Sequence, residues 1–292
     1  MIDNKEVFKN HTIKNSSIIT KTLGTMFKYF VILIVLIVSL FPIIWVVISS
    51  FKTNAEIMNS ALKLPTHFYT AGYKIALSLS PIVICFRNSI LISVSSTILN
   101  VLFVGMGAYV VARYDFKYKN AVILMFTSIL LVPGIALSYP IFKIIRTIGL
   151  YDTKTALVIV YTAMGMPTTF YVLKSYFLSI PKEIEEAAFI DGSSFVNTFF
   201  KIIVPIAKPG LFSAAILQFL FAWNEFFFAL LLTTGKESRT LPLTLSYFTS
   251  MFSANYTALF AAITIIIIPT IIAYVLMQEQ IVDSLASGAV KG

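Results

Sequence analysis

Residues Tyr29–Phe51 read YFVILIVLIVSLFPIIWVVISSF, in which only Ser39, Pro42, Ser49 and Ser50 interrupt the Ile, Val, Leu and Phe. About 20 mostly apolar residues cross the roughly 30 Å of bilayer hydrocarbon as a helix, so this run is predicted to span a membrane. It is too long for the apolar core of a signal peptide, and no small-residue cleavage site comes after it. The expectation is therefore an uncleaved anchor and first span.

Composition extends that reading to the whole chain. Of 292 residues, 58% are hydrophobic and 12% charged, with a mean hydropathy of +0.88; soluble domains carry about 25% charged residues. Such a chain cannot cover a soluble globule with polar groups. The net charge of +9 is scattered between apolar runs, which argues against nucleic-acid binding and for membrane-flanking charge. The lone Cys85 forms no intramolecular disulfide, thiolate cluster or redox pair.

Five further apolar runs occur: about 88–112, the stretch between Lys119 and Lys143, the stretch between Lys154 and Lys174, about 209–232 with Glu225 near its far end, and about 257–277. The expectation is an all-α polytopic protein of six spans, with a polar, loosely ordered segment over 1–27, a membrane domain over 28–279 and a tail over 280–292. Pro133 and Pro167 are expected to kink their spans, and Asn100 and Gln218 to bond between helices. An even span count puts both termini on one side. With the termini cytoplasmic, 13 of the 22 Lys and Arg fall on that side and 9 on the other, a modest bias in the expected direction.

Enzymatic residues are scarce. His11 and His67 both lie outside the apolar runs, and neither H-E-x-x-H, G-x-S-x-G nor a phosphate-binding G-x-x-x-x-G-K-[ST] occurs. No catalysis, metal or bound cofactor is expected of this chain.

The most informative polar stretch is the loop at about 178–208, beginning Ser179-Ile180-Pro181-Lys182-Glu183-Ile184-Glu185-Glu186-Ala187-Ala188-Phe189-Ile190-Asp191-Gly192. It reads as two short helices. Ser179 can cap the first, Pro181 suits its first turn, and Glu183, Glu185 and Glu186 favour the helix dipole. Gly192 permits a left-handed stop, and Ser193 or Ser194 can start the second helix through Phe195, Phe199, Phe200 and Ile203. Ala187 and Ala188 offer a flat face for a partner's backbone, with acidic groups around it.

This loop resembles the signature of the membrane subunits of binding-protein-dependent ABC importers: E-A-A, three residues, Gly, nine residues, I-x-L-P. Here it runs Glu186-Ala187-Ala188, Gly192, and Ile202-Ile203-Val204-Pro205, with Val204 in place of Leu. Shorter pieces resemble the maltose-type second membrane subunit of the carbohydrate branch: the Ser179–Glu183 lead-in, Asp191, Trp223-Asn224-Glu225-Phe226, Thr240-Leu241-Pro242 and the tail Ser287–Gly292. The resemblance covers nearly all of the chain past residue 25.

It implies a permease for a sugar or oligosaccharide in a bacterial cytoplasmic membrane, inert alone. Its implied partners are membrane lipid, a second permease subunit, a dimer of ATP-binding subunits that carry the ATP and Mg, and an extracytoplasmic sugar-binding protein. The loop would be a cytoplasmic coupling helix, with Glu186 docking on the ATPase, Ala187 and Ala188 packing closely, Asp191 and Pro205 in the signature and Gly192 making the turn. The tail residues Gly288, Lys291 and Gly292 would give a second ATPase contact.

Asn224 and Glu225 are candidates for the substrate pathway, since charge within a span is costly; Glu225 near a span end is equally compatible with facing water. Tyr139, Tyr161, Tyr171 and Tyr247 are candidates for stacking on sugar rings or for anchoring span ends. Two alternatives remain: an ABC permease for another polar solute such as glycerol phosphate, and an ion-coupled secondary transporter. The second normally needs acidic residues or broken helices at mid-membrane, where these spans offer only Glu225.

Overall fold

The computed structural model describes residues 4–248 and 255–289, and it is helical throughout with no strand among them. In chain order the helices are α1 (Asn4–Ser49), α2 (Asn54–Asn59), α3 (Ala71–Leu79), α4 (Ile82–Arg113), α5 (Lys119–Leu131), α6 (Ser138–Thr147), α7 (Lys154–Ser179), α8 (Glu183–Ile190), α9 (Phe195–Thr198), α10 (Val204–Ile206), α11 (Lys208–Asn224), α12 (Phe227–Leu232) and α13 (Tyr256–Ala289). Short 3₁₀ turns cover Gly134–Leu137 and Pro242–Tyr247, and a π turn covers Phe199–Ile203.

Among the described residues, three helices are apolar and long enough to cross a membrane unbroken: Gly24–Ser49, Ile82–Arg113 and Lys154–Ser179. The third expected run is instead two helices, Lys119–Leu131 and Gly134–Thr147, bent by 100° at Pro133. Proline removes a backbone donor and clashes with the preceding turn, so a break there stems from its chemistry. Pro167, by contrast, sits inside an uninterrupted α7. The fifth run, expected as one span over 209–232, is divided at Glu225 and Phe226 into α11 and α12. The polar segment expected to be loosely ordered continues α1 back to Asn4; lengthening an existing helix avoids the cost of nucleation.

The bundle is built on α4, α7 and α11. Asn100 Nδ2 donates to Thr162 O at 2.8 Å, Thr162 Oγ1 donates to Ser96 O, and Gln218 Nε2 donates to Tyr161 O at 3.0 Å. The two expected interhelical amides thus hold α7 from both sides. Small residues allow the close approach; a Cβ on Gly165 would collide with Gln218 Oε1. Apolar packing continues at one end through Tyr109, Phe170, Leu173, Phe177, Phe199 and Ile203, and toward the other through Ile92, Leu157, Tyr161, Phe228 and Leu232. A separate cluster joins α3 and α13 around Ala76, Trp223, Leu241 and Phe248.

α1 lies at the periphery. Large side chains from Met26 to Phe41 are exposed along it, and it meets α13 near its end, where Trp45 and Phe260 pack edge to face at 5.1 Å. Exposed apolar surface of this extent suits lipid.

Candidate functional site

α7 has 26 residues, about 39 Å at 1.5 Å per residue, so the segments on its two sides lie at opposite ends of the bundle. The signature loop occupies the end where α4 and α7 finish together. Ser179 does not cap α8 as the sequence suggested: α7 runs on to Ser179, whose Oγ donates to Tyr176 O. Pro181 likewise lies ahead of α8, whose N-cap is Lys182 with no side-chain bond. The acidic first turn of Glu183, Glu185 and Glu186 is present.

Gly192 has φ +83 and ends α8, with its N–H bonded to Phe189 O. A side chain is strained in that left-handed backbone, which is why glycine stands here. Ser194 then caps α9, accepting from Asn197 N at 3.4 Å. The second helix passes through the π turn at Phe199–Ile203 before reaching Pro205 and α11.

The eight residues of α8 present two faces. Glu186, Ala187, Phe189 and Ile190 are exposed, Ile190 to 85%. Ala188 is buried and Ile184 packs against the core, so the small face expected at Ala187 and Ala188 is divided between outside and inside. Asp191, Gly192 and Pro205 are exposed.

Glu185 is the acidic residue that turns inward. Its Oε1 lies 2.6 Å from Arg113 Nε, with side-chain exposures of 7% and 3%, and its Oε2 accepts from Tyr109 Oη at 3.1 Å. Arg113 Nη2 also donates to Ile180 O at 2.8 Å. In the sequence Arg113 read only as membrane-flanking charge.

At the opposite end, Glu225 sits between α11 and α12. Its carboxylate accepts from Phe228 N at 2.8 Å, Ala229 N at 3.1 Å and Tyr161 Oη at 2.7 Å. This anion caps the first turn of α12. Asn224 is exposed and its Nδ2 donates to Leu220 O. The candidate tyrosines differ in access. Tyr139 is exposed; Tyr161 is buried; Tyr171 bonds Thr127 through its hydroxyl; Tyr247 accepts from Arg239 Nη1 at 3.0 Å.

Asp152, which carries no motif in the sequence, ties the segment ahead of α7 to the segment that follows α12. Its carboxylate accepts from the N–H groups of Thr234 and Gly235 and from the hydroxyls of Thr234 and Ser238, while its own N–H donates to Leu232 O. Its φ is +60, a rare conformation for a side-chain-bearing residue. Burial works to raise this carboxyl, and the hydrogen bonds from Ser238, Thr234 and Gly235 outweigh it, bringing it down to about 2. The 235–241 segment is pinned to α4 as well, through Asn88 Nδ2 to Glu237 O and Arg239 O and through Leu241 N to Ser89 Oγ.

Gly288 lies within α13, whereas Lys291 and Gly292 fall outside the described residues.

Comparison with known proteins fits this architecture. Residues 102–286 match the family described as the binding-protein-dependent transport system inner membrane component. The sulfoquinovosyl glycerol transport system permease protein SmoH of Agrobacterium fabrum is 34% identical over 92% of this chain and 95% of its own. The trehalose transport system permease protein SugB of Mycobacterium tuberculosis is 36% identical over 90% and 97%. The trehalose/maltose transport system permease protein MalG of Thermococcus litoralis is 35% identical over 88% and 93%. Among solved structures, a bacterial ABC transporter involved in the import of the acidic polysaccharide alginate aligns with a TM-score of 0.79 at 22% identity, over 89% of this chain and 97% of that one, which is a likeness of fold. The chain belongs to the inner membrane components of binding-protein-dependent transport systems, the permease subunits of ABC importers.

Proposed function

We propose that the chain is one half of a heterodimeric permease that imports a sugar or oligosaccharide, driven by ATP hydrolysed on a separate dimer of ATPase subunits and supplied by an extracytoplasmic sugar-binding protein. The observation that carries the reading is α8: the E-A-A signature in register on a short helix at one end of the bundle, with Glu186, Ala187, Phe189 and Ile190 exposed. The carbohydrate relatives support the substrate class. In this reading Glu186 makes the polar contact with the ATPase and Ala187 lets it approach, while Ala188 and Gly192 fix how the helix is presented.

The six apolar stretches are read as six crossings: the three unbroken spans, the stretch bent at Pro133, the stretch divided into α11 and α12, and α13. Both termini and α8 then face the cytoplasm, and Asp152 and Glu225 lie toward the outside. Asn224, exposed beside Glu225, is the better placed of that pair to meet solute; the three hydrogen bonds to Glu225 favour a capping role for it. The tail around Gly288, Lys291 and Gly292 supplies a second ATPase contact. ATP and Mg act on the partner subunits.

The test is gentle purification of the tagged chain from its native membrane, with mass spectrometry of the proteins and sugars that accompany it. A second permease, an ATPase and a sugar-loaded binding protein are expected, together with uptake that survives an uncoupler and stops when ATP is depleted. A chain that emerges alone and moves solute in liposomes without ATP overturns the reading in favour of a secondary transporter. Glu186→Lys is expected to weaken ATPase copurification by reversing the docking charge; unchanged association would mean that this residue is simply solvated.

A further inference from the structure

We infer that the buried Arg113–Glu185 ion pair, held by Tyr109, is the linkage that makes α8 move as one body with α4, so that Arg113, Tyr109 and Glu185 are positioning residues for coupling; this rests on the importer reading of the chain. α8 is too short to be a stable helix by itself, so its orientation comes from the groups that hold it. Ile184 and Ala188 supply apolar contact, which is non-directional and tolerates sliding. The hydrogen bonds that flank the ion pair, Tyr109 Oη to Glu185 Oε2 and Arg113 Nη2 to Ile180 O, are directional.

The guanidinium of Arg113 grips two points at once. Nε meets Glu185 Oε1 on α8 at 2.6 Å, and Nη2 meets Ile180 O, in the link between α7 and α8, at 2.8 Å. A planar fork suits two such contacts in a way that a lysine does not. Tyr109, four residues earlier on α4, donates to the other carboxylate oxygen. Its ring also packs on Phe177, Phe195 and Phe199 at 5.5, 5.8 and 4.7 Å, from α7, α9 and the π turn. The last turn of α4 is therefore where α7, α8 and the second half of the signature loop meet.

From there the connection runs into the bundle. α4 is bonded to α7 at Asn100 and Ser96, and Leu173 packs at Gly105. A push delivered to the exposed face of α8 reaches the centre of the bundle through α4 only as far as α8 and α4 stay registered. A buried ion pair contributes little net stability compared with well-packed apolar groups, but removing one partner leaves the other charge buried and unpaired, so in this proposal the pair serves to fix the arrangement of α8 on α4. Glu186 lies next in sequence and is exposed, so the two adjacent glutamates divide the work: one meets the partner and the other the body of the protein.

The test uses the intact transporter reconstituted in liposomes with its binding protein, reading ATP hydrolysed per solute imported. Arg113→Gln and Glu185→Gln are each expected to raise that ratio about tenfold, the scale of a typical coupling free energy. The exchange of charges, Arg113→Glu with Glu185→Arg, is expected to bring it back toward the wild-type value. Hydrolysis and import that fall in the same proportion, or a ratio that the exchange does not restore, overturn the linkage. Should the glutamine variants not accumulate, Arg113→Lys takes their place, since it keeps the charge without the two-pronged grip; a wild-type ratio there also overturns it. If the wild-type chain carries no ATPase, the importer reading itself falls, an outcome distinct from all of these.

Discussion

At Gly165 the limiting contact is with an amide. A Cβ there would collide with Gln218 Oε1, and Gln218 is held in place by its bond to Tyr161 O. Gly165→Ala is expected to push α7 and α11 apart at a cost of about 1–3 kcal/mol, read as a lower melting temperature in detergent. The double variant Gly165→Ala with Gln218→Ala should recover part of that loss, because the second change removes the obstructing group. Asn100 and Gln218 were legible from sequence as interhelical bonders, since an amide inside an apolar run has few partners except a neighbouring backbone. Glu225 was ambiguous for a local reason: the break that turns it into a helix cap appears only once α11 and α12 separate. Arg113 does flank its span, as the last residue of α4, but nothing near it in the sequence points to Glu185, just as Tyr109 and Glu185 stand 76 residues apart. No local spacing announces such a pair.

Among the elements, the signature loop divides into parts that sequence could and could not reach. Gly192 was legible as a stop, and its φ of +83 is the physical reason. Gly192→Asp or Gly192→Leu is expected to abolish transport while leaving membrane insertion intact, because the altered turn re-aims α8; normal uptake by either variant would exclude this role for the loop. Ser179 was misplaced by one element, since α7 outlasts its uncharged run and absorbs it. The π turn carried no recognisable signal. Phe199, Ile203 and Ala207 are all buried, a four-residue spacing that an ordinary α-helix also keeps on one face, so the burial pattern does not distinguish the two. The third run shows the same limit: Pro133 announced a kink, but nothing in an uncharged stretch fixed its size at 100°.

Taken as a whole, the molecule ties carboxylates to backbone and hydroxyl donors at the ends of its helices. Hydrogen bonds from Thr66 and Thr53 hold the Glu56 carboxyl at about 2 against an ordinary 4.5, as those to Asp152 bring it to about 2 from 3.8. Both groups bind fewer protons folded than unfolded, so their stabilisation is complete above about pH 4.5 and is lost as pH falls toward 2. The melting temperature in detergent is expected to fall over that window. Asp152→Asn should lower it at neutral pH and shrink the acid-dependent drop; an undiminished drop would assign the acid sensitivity elsewhere. Membrane class and the helical runs were readable from apolar content alone, whereas the bends and loop ties depend on contacts between distant segments.

The Asp152 tie also bears on biogenesis. Its partner Thr234 lies 82 residues further along and Ser238 lies 86. At about 5–20 residues per second, a ribosome needs roughly 4 to 16 s to deliver the first of them after Asp152 has been made. Throughout that interval α7, the signature loop, α11 and α12 are being synthesised. The carboxylate therefore waits without its clasp, and the clasp closes only after those helices have been made and Gly235 has emerged. A nascent chain halted before Thr234 lacks the Thr234, Gly235 and Ser238 donors that hold the Asp152 carboxylate, so the clasp is a mark of a chain made at least that far.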